Sequence, residues 1–147
     1  MKLVPFLTAL LLSCLSLTAL ATDSPVGLWR TIDDRSGKEK SLVRIVEVNG
    51  ELRGTIEKLF REPGEEPNPQ CEKCTGDKKN KPVIGMTILS GLRRDGQQFT
   101  GGEILDPANG KSYQCKMAVS DDGKKLNVRG FIGVPMLGRT QVWVREP

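Results

Sequence analysis

Beyond an apolar leader, the chain is a series of short runs of apolar and polar positions, separated by turn residues at nearly even spacing. Residues 26–32 read as a first short strand. Residues 41–48 are rich in β-branched side chains and partly alternate. Asn49-Gly50 follows, the strongest short hairpin signal, because a type I′ turn needs positive φ at both central positions. Residues 51–60 return as the partner strand, with Leu52, Gly54, Ile56 and Lys58 expected on one face. The rhythm then breaks at residues 61–82, a polar stretch rich in Pro, Glu, Lys and Asn. A loop of that length is either functional or tied down. Residues 83–92 fit two periods: Ile84, Thr87, Ile88 and Gly91 share a helical face, but Gly85 and Gly91 disfavour a helix, so a strand is expected.

Asp95-Gly96 turns the chain, and residues 99–105 form a strand with a kink at Gly101-Gly102. Residues 106–110, Asp-Pro-Ala-Asn-Gly, make a tight turn. Residues 111–119 place Tyr113, Cys115, Met117 and Val119 on one face. Asp121-Asp122-Gly123 turns again, and residues 125–134 and 138–145 complete the set. About eight short strands, tight turns and no long helix predict an all-β domain, either a sandwich or a barrel. Sequential hairpins favour an antiparallel up-and-down barrel of about eight strands with one long loop. Such a barrel is filled by its own side chains or holds one small ligand.

The leader changes the compartment. Lys2, an apolar run over residues 3–20 and Ala19-Leu20-Ala21 have the form of a secretory signal cleaved before Thr22. The expected organisation is a signal peptide over 1–21 and one barrel domain over 22–147, periplasmic or secreted, with no transmembrane segment in the mature chain. An uncleaved anchor would need about 20 apolar residues without a cleavage site, and Ser13, Ser16 and Thr18 interrupt the run. Leu11-Leu12-Ser13-Cys14 has some lipobox character, which would acylate Cys14; the apolar residues 15–21 behind it argue for soluble export.

Composition removes several functions. The formal charge is +4, or +3 without Lys2, and the densest basic run, Lys78-Lys79-Asn80-Lys81, follows Glu65, Glu66, Glu72 and Asp77. Local charges nearly cancel, so no nucleic-acid partner is expected. The few aromatics of the mature chain, Trp29, Phe60, Phe99, Tyr113, Phe131 and Trp143, are too sparse for a sugar- or base-stacking platform. Histidine is absent, which removes the commonest general base and metal ligand. Asp33-Asp34 and Asp121-Asp122 sit in turns, where neighbours point apart into solvent. No catalytic constellation and no cofactor or metal site is expected.

Three groups of residues remain as site candidates. Gly27-Leu28-Trp29 opens the first strand, a placement that resembles lipocalin-like barrels, in which an arginine of the last strand, here Arg139 or Arg145, packs across the indole. The resemblance implies structural roles for Gly27, Trp29 and Arg145. Cys71 and Cys74 lie in the long loop, and Cys115 on a strand. A disulfide, Cys71–Cys74 or either of them to Cys115, would tether the loop. A thioredoxin-like pair would need a helix N-terminus behind it. A zinc site would have only three thiolates and no histidine. Finally, Arg139, Gln141 and Trp143 alternate on one face, and Arg129 shares a face with Phe131. An inward Arg139 needs a carboxylate, with Asp33, Glu103 and Asp106 available, or an anionic ligand. Arg129, Arg139, Gln141 and Tyr113 are the expected ligand contacts.

Four ordered runs carry a family resemblance: residues 29–33 (Trp-Arg-Thr-Ile-Asp), 67–76 (Pro-Asn-Pro-x-Cys-x-x-Cys-x-Gly), 104–113 (Ile-Leu-Asp-Pro-x-Asn-Gly-Lys-x-Tyr), and 128–133 with 138–143 (Val-Arg-Gly-Phe-Ile-Gly and Gly-Arg-Thr-Gln-x-Trp). The chain resembles the small secreted bacterial proteins grouped as domain of unknown function 2147. The resemblance implies a lipocalin-like barrel, in which a Gly-x-Trp on the first strand closes one end, and it brings no catalytic residues. The expected function is an exported binding module that carries or senses a small apolar or amphipathic ligand, an anionic one included. The alternative is an envelope protein-interaction or structural factor acting through the 61–82 loop, its protein partners unspecified. A thiol–disulfide oxidoreductase ranks third.

Overall fold

A computed structural model describes residues 23–147; the expected signal peptide, its cleavage site and Cys14 lie outside them. Eight strands form a closed barrel: β1 (Gly27–Ile32), β2 (Glu39–Val48), β3 (Glu51–Leu59), β4 (Thr87–Asp95), β5 (Gln98–Asp106), β6 (Lys111–Ser120), β7 (Lys125–Phe131) and β8 (Arg139–Arg145). Each pairs antiparallel with the next, and β8 returns to β1 through Trp29↔Arg145 and Arg30↔Val144. Closure leaves no free sheet edge. The Asn49-Gly50 turn has φ of 52° and 78°, as its hairpin type requires.

Alternation places the core. Trp29, Val43, Ile45, Leu52, Leu89, Leu92, Leu126 and Trp143 are each at most 1% accessible. They form one buried apolar cluster closed off from solvent. One expected face changes. The β2–β3 register steps from Leu42↔Lys58 to Val43↔Ile56, leaving Glu57 as an extra residue. That bulge turns the exposed Lys58 away from the face of Leu52, Gly54 and Ile56.

The strand expected from residue 83 starts only at Thr87. Residues 83–86 instead fasten the long loop: Val83 N–H donates to Pro69 O (2.9 Å) and Gly85 N–H to Ile56 O (2.7 Å). With an even number of antiparallel strands, the connections sort into two ends. One end gathers residues 24–26 and the turns at 49–50, 96–97 and 121–124. The other, the mouth, gathers the connections 33–38, 60–86, 107–110 and 132–138.

Candidate functional site

The far end is locked. Pro25 O accepts the Trp29 indole N–H at 2.7 Å. The Arg145 guanidinium lies 4.2 Å from the Trp29 ring centroid and donates to Gly123 O (2.6 Å), Val26 O (2.9 Å) and Ser24 O (2.7 Å). Its planar fork serves three carbonyls in fixed, spread directions while stacking on the ring, a geometry a compact ammonium does not reproduce. Burial pushes the Arg145 pKa down. Gly27 makes room: its φ is +141°, and a Cβ there would sit 2.6 Å from Arg145 Nη1. Of the two arginines expected to be able to cover the indole, Arg145 does so.

The outer wall beside the mouth carries the long loop. Leu89 and Ile104 pair on the inner face, so Ile88 and Leu105 point outward, yet both are buried. The loop supplies their cover. Cys71 and Cys74 form a buried disulfide within it, and Cys71 Sγ lies 3.4 Å from Pro107 O. A Cβ on Gly110 would overlap the Lys73 carbonyl, so the Cys71–Cys74 turn rests directly on the 107–110 turn.

Cys115 is unbridged. It shares the inner face with Met117, on the opposite side of the barrel wall from the loop, and burial pushes its thiol up to about 12. The expected alternative of a bridge to Cys115 is thereby corrected, because the wall separates the sulfurs. The redox reading loses its basis too. Both loop sulfurs are buried, and only a one-turn 3-10 segment, Gly76–Lys78, follows them.

The mouth collects the polar inner groups. Thr31 and Ser41 share a 2.7 Å hydroxyl hydrogen bond just inside it. Trp143 Nε1 donates to Gln141 Oε1 (3.0 Å), and Gln141 Nε2 reaches Asp34 Oδ1 (3.5 Å). Asp34 takes the Arg139 fork, Nε to Oδ2 at 3.0 Å and Nη2 to Oδ1. The Arg139 hydrogen bond, the largest cause, holds the Asp34 carboxyl below its usual range, and Asp34 in turn raises Arg139. One strand away, beyond Gly130, Tyr113 Oη accepts from Asn109 Nδ2 at 3.0 Å, leaving its own O–H free to donate. Ile104 and Gly130 flank Tyr113. The result is a half-exposed polar rim, with the buried Trp143 bonded to Gln141 beneath it.

Comparison with known proteins settles the family. The profile of a family described as uncharacterized proteins conserved in bacteria, domain of unknown function 2147, matches residues 27–145. The chain belongs to this family. Among solved structures, the barrel is similar to protein HP1028 from the human pathogen Helicobacter pylori, described as belonging to the lipocalin family, with a TM-score of 0.73 and 21% identity over 86% of this chain and 85% of that one. At that identity the likeness shows the fold, a lipocalin-like barrel. No match was found among curated proteins.

In this family member the expected ligand contacts divide. Arg139, Gln141 and Tyr113 meet at the mouth. Arg129 does not: with Val128 inward, it points outward and donates to Pro135 O (2.7 Å), Thr140 Oγ1 (2.8 Å) and Met136 O (3.5 Å). It fastens the 132–138 connection instead of facing a ligand. The carboxylate partner of Arg139 also differs from the three expected. Asp33 is occupied by its own turn, accepting from Ser36 N–H (2.7 Å) and Arg35 N–H (3.0 Å). Glu103 lies on the outer face between Gly102 and Ile104, and Asp106 caps Ala108 N–H (2.9 Å). Asp34 was read as solvated, and its role was missed. The signal that could have found it is closure: β1 pairs with β8, so the residues after β1 lie beside the start of β8.

Proposed function

We propose that this chain is an exported binding module whose mouth holds the polar head of a small amphipathic ligand. The observation that carries the reading is the Arg139–Asp34–Gln141–Trp143 chain beside Tyr113 at the mouth of a lipocalin-like barrel. Pockets that bind small molecules combine apolar lining with a few placed polar groups. Here the donors left for a ligand are the Tyr113 O–H and the remaining Arg139 N–H groups, which suit an anionic or carbonyl head. The apolar side chains of the far half are closed off from solvent, so the tail would lie along the rim. The Cys71–Cys74 disulfide supports export, since such bonds persist in oxidising compartments. Among the described residues no helix is long and apolar enough to cross a membrane.

The test is native mass spectrometry of protein exported through its own leader, followed by titration with laurate as the probe. The expected result is a non-covalent extra mass, or saturable laurate binding that Tyr113→Phe and Arg139→Ala each weaken several-fold. A bare mass together with no laurate binding would remove the reading.

A further inference from the structure

The connection from β7 to β8 presents an apolar tip at the mouth. Ile132, Val134, Met136 and Leu137 are 67%, 52%, 89% and 78% exposed. Residues 132–138 contain no polar side chain at all. An exposed cluster of this kind marks an interaction site. We infer that this loop inserts into the surface of an anionic phospholipid bilayer and sets the barrel mouth against the membrane. The inference goes beyond the ligand reading and does not depend on it.

Two observations choose a bilayer over other occupants. First, the tip pairs part of its own backbone. Leu137 N–H donates to Val134 O (3.1 Å) and Gly138 N–H to Pro135 O (3.2 Å). Arg129 donates to Pro135 O and Met136 O, and Pro135 has no N–H to satisfy. Each such pairing lowers the cost of bringing backbone to an apolar interface, and this tip carries only side chains that gain by leaving water. The tip itself offers a protein partner no side-chain donor or acceptor.

Second, the wall behind the tip is cationic. From Lys111 to Arg145 the only carboxylates are Asp121 and Asp122, in the turn at the opposite end. Lys116 and Arg129 lie side by side on the outer face, and Arg129 is held by neutral acceptors alone. Basic residues beside an apolar insertion are drawn to anionic headgroups. A second copy of the chain on the same tip would bring like charges together.

The experiment is flotation of the purified protein, free of detergent and with its N-terminus fixed by mass spectrometry, with phosphatidylcholine vesicles containing or lacking phosphatidylglycerol. The parent is compared with Met136→Asp/Leu137→Asp. Both side chains are exposed, so circular dichroism and the melting temperature are expected to stay unchanged. The expected result is capture by the anionic vesicles, at least tenfold weaker in the double variant and weaker on neutral vesicles or in high salt. Loop dependence is the readout, because an apolar leader left in place would bind vesicles equally in both proteins. Equal capture of parent and variant, or no capture of the parent, would overturn the inference. So would a loop-dependent dimer by light scattering without vesicle binding.

Discussion

Replacing Arg145 with alanine tests the physical basis of the locked end. The substitution removes three charge-assisted donors and the cation over Trp29. Val26 is exposed and Ser24 half-buried, so their carbonyls rehydrate at small cost. Gly123 is buried, and a buried carbonyl left without its donor costs about 1–3 kcal/mol. The lost cation–π contact adds roughly 0.5–2 kcal/mol. Relief of guanidinium desolvation offsets part of this, the same effect that lowers the Arg145 pKa. The net expectation is a loss of about 2–4 kcal/mol, or on the order of 10 °C in Tm for a domain of this size. Arg145→Lys keeps a charge near the indole but serves fewer carbonyls, so roughly half the loss is expected.

Gly27→Ala provides an independent arm. Its Cβ meets Arg145 Nη1, so part of its cost disappears once Arg145 is gone. A coupling of about 0.5–3 kcal/mol is expected in the double-mutant cycle, with the strain of φ +141° remaining in both backgrounds. The assay is urea unfolding followed by tryptophan fluorescence, comparing midpoints at constant slope. An Arg145→Ala protein within about 0.5 kcal/mol of the parent, or strictly additive Gly27 and Arg145 changes, would refute the reasoning.

Three further outcomes follow from the same structure. Asp34 has a depressed folded pKa, so its contribution is present above the ordinary carboxylate pKa and is lost as pH falls through the folded value. Asp34→Asn should therefore lower stability by up to about 1 kcal/mol at pH 7 and converge with the parent in acid unfolding below about pH 4; a constant offset at all pH values would contradict this. The Cys115 thiol, raised to about 12, stays protonated when folded while the unfolded thiol ionises near 9. Its share of stability is intact below pH 9 and falls by up to about 1.4 kcal/mol per pH unit above it. Cys115→Ala should flatten that alkaline slope, and native Cys115 should resist alkylation at pH 8; rapid native labelling would contradict its burial. Gly110→Ala should unseat the disulfide turn from the 107–110 turn, seen as faster tryptic cleavage near Lys73 and Lys78 while the barrel core survives; unchanged cleavage would contradict the contact.

The barrel was legible because its determinants are local. Asn49-Gly50, Asp95-Gly96 and Asp121-Asp122-Gly123 are turns whose chemistry does not depend on distant contacts, and alternation along β6 and β8 sets which residues face in. The Gly27–Trp29–Arg145 arrangement was legible through the lipocalin-like resemblance, which implies a last-strand arginine across the first-strand indole. What was not legible depends on register and on which groups are already taken. The bulge at Glu57 that turns Lys58 outward leaves no mark in the pattern of residues 51–60. The choice of Asp34 over Asp33 rests on Asp33 being consumed by its own turn. Arg129 and Arg139 look alike in sequence, and one residue of parity against Val128 sends Arg129 to the outer surface. The cysteine pairing needed to know that the loop lies outside the wall and Cys115 inside it.

The two tryptophans offer the most direct measurement of where a ligand sits. The Trp29 indole N–H bonds Pro25 O at the locked end, and that of Trp143 bonds Gln141 at the mouth. In a ¹H–¹⁵N spectrum of the protein, laurate is titrated and the two indole signals are followed. A ligand held at the mouth moves the Trp143 indole signal together with the Gln141 side-chain amide and leaves Trp29 in place. Movement of Trp29 alone, equal movement of both, or movement of neither at saturating laurate would contradict a mouth-bound amphiphile above a packed core.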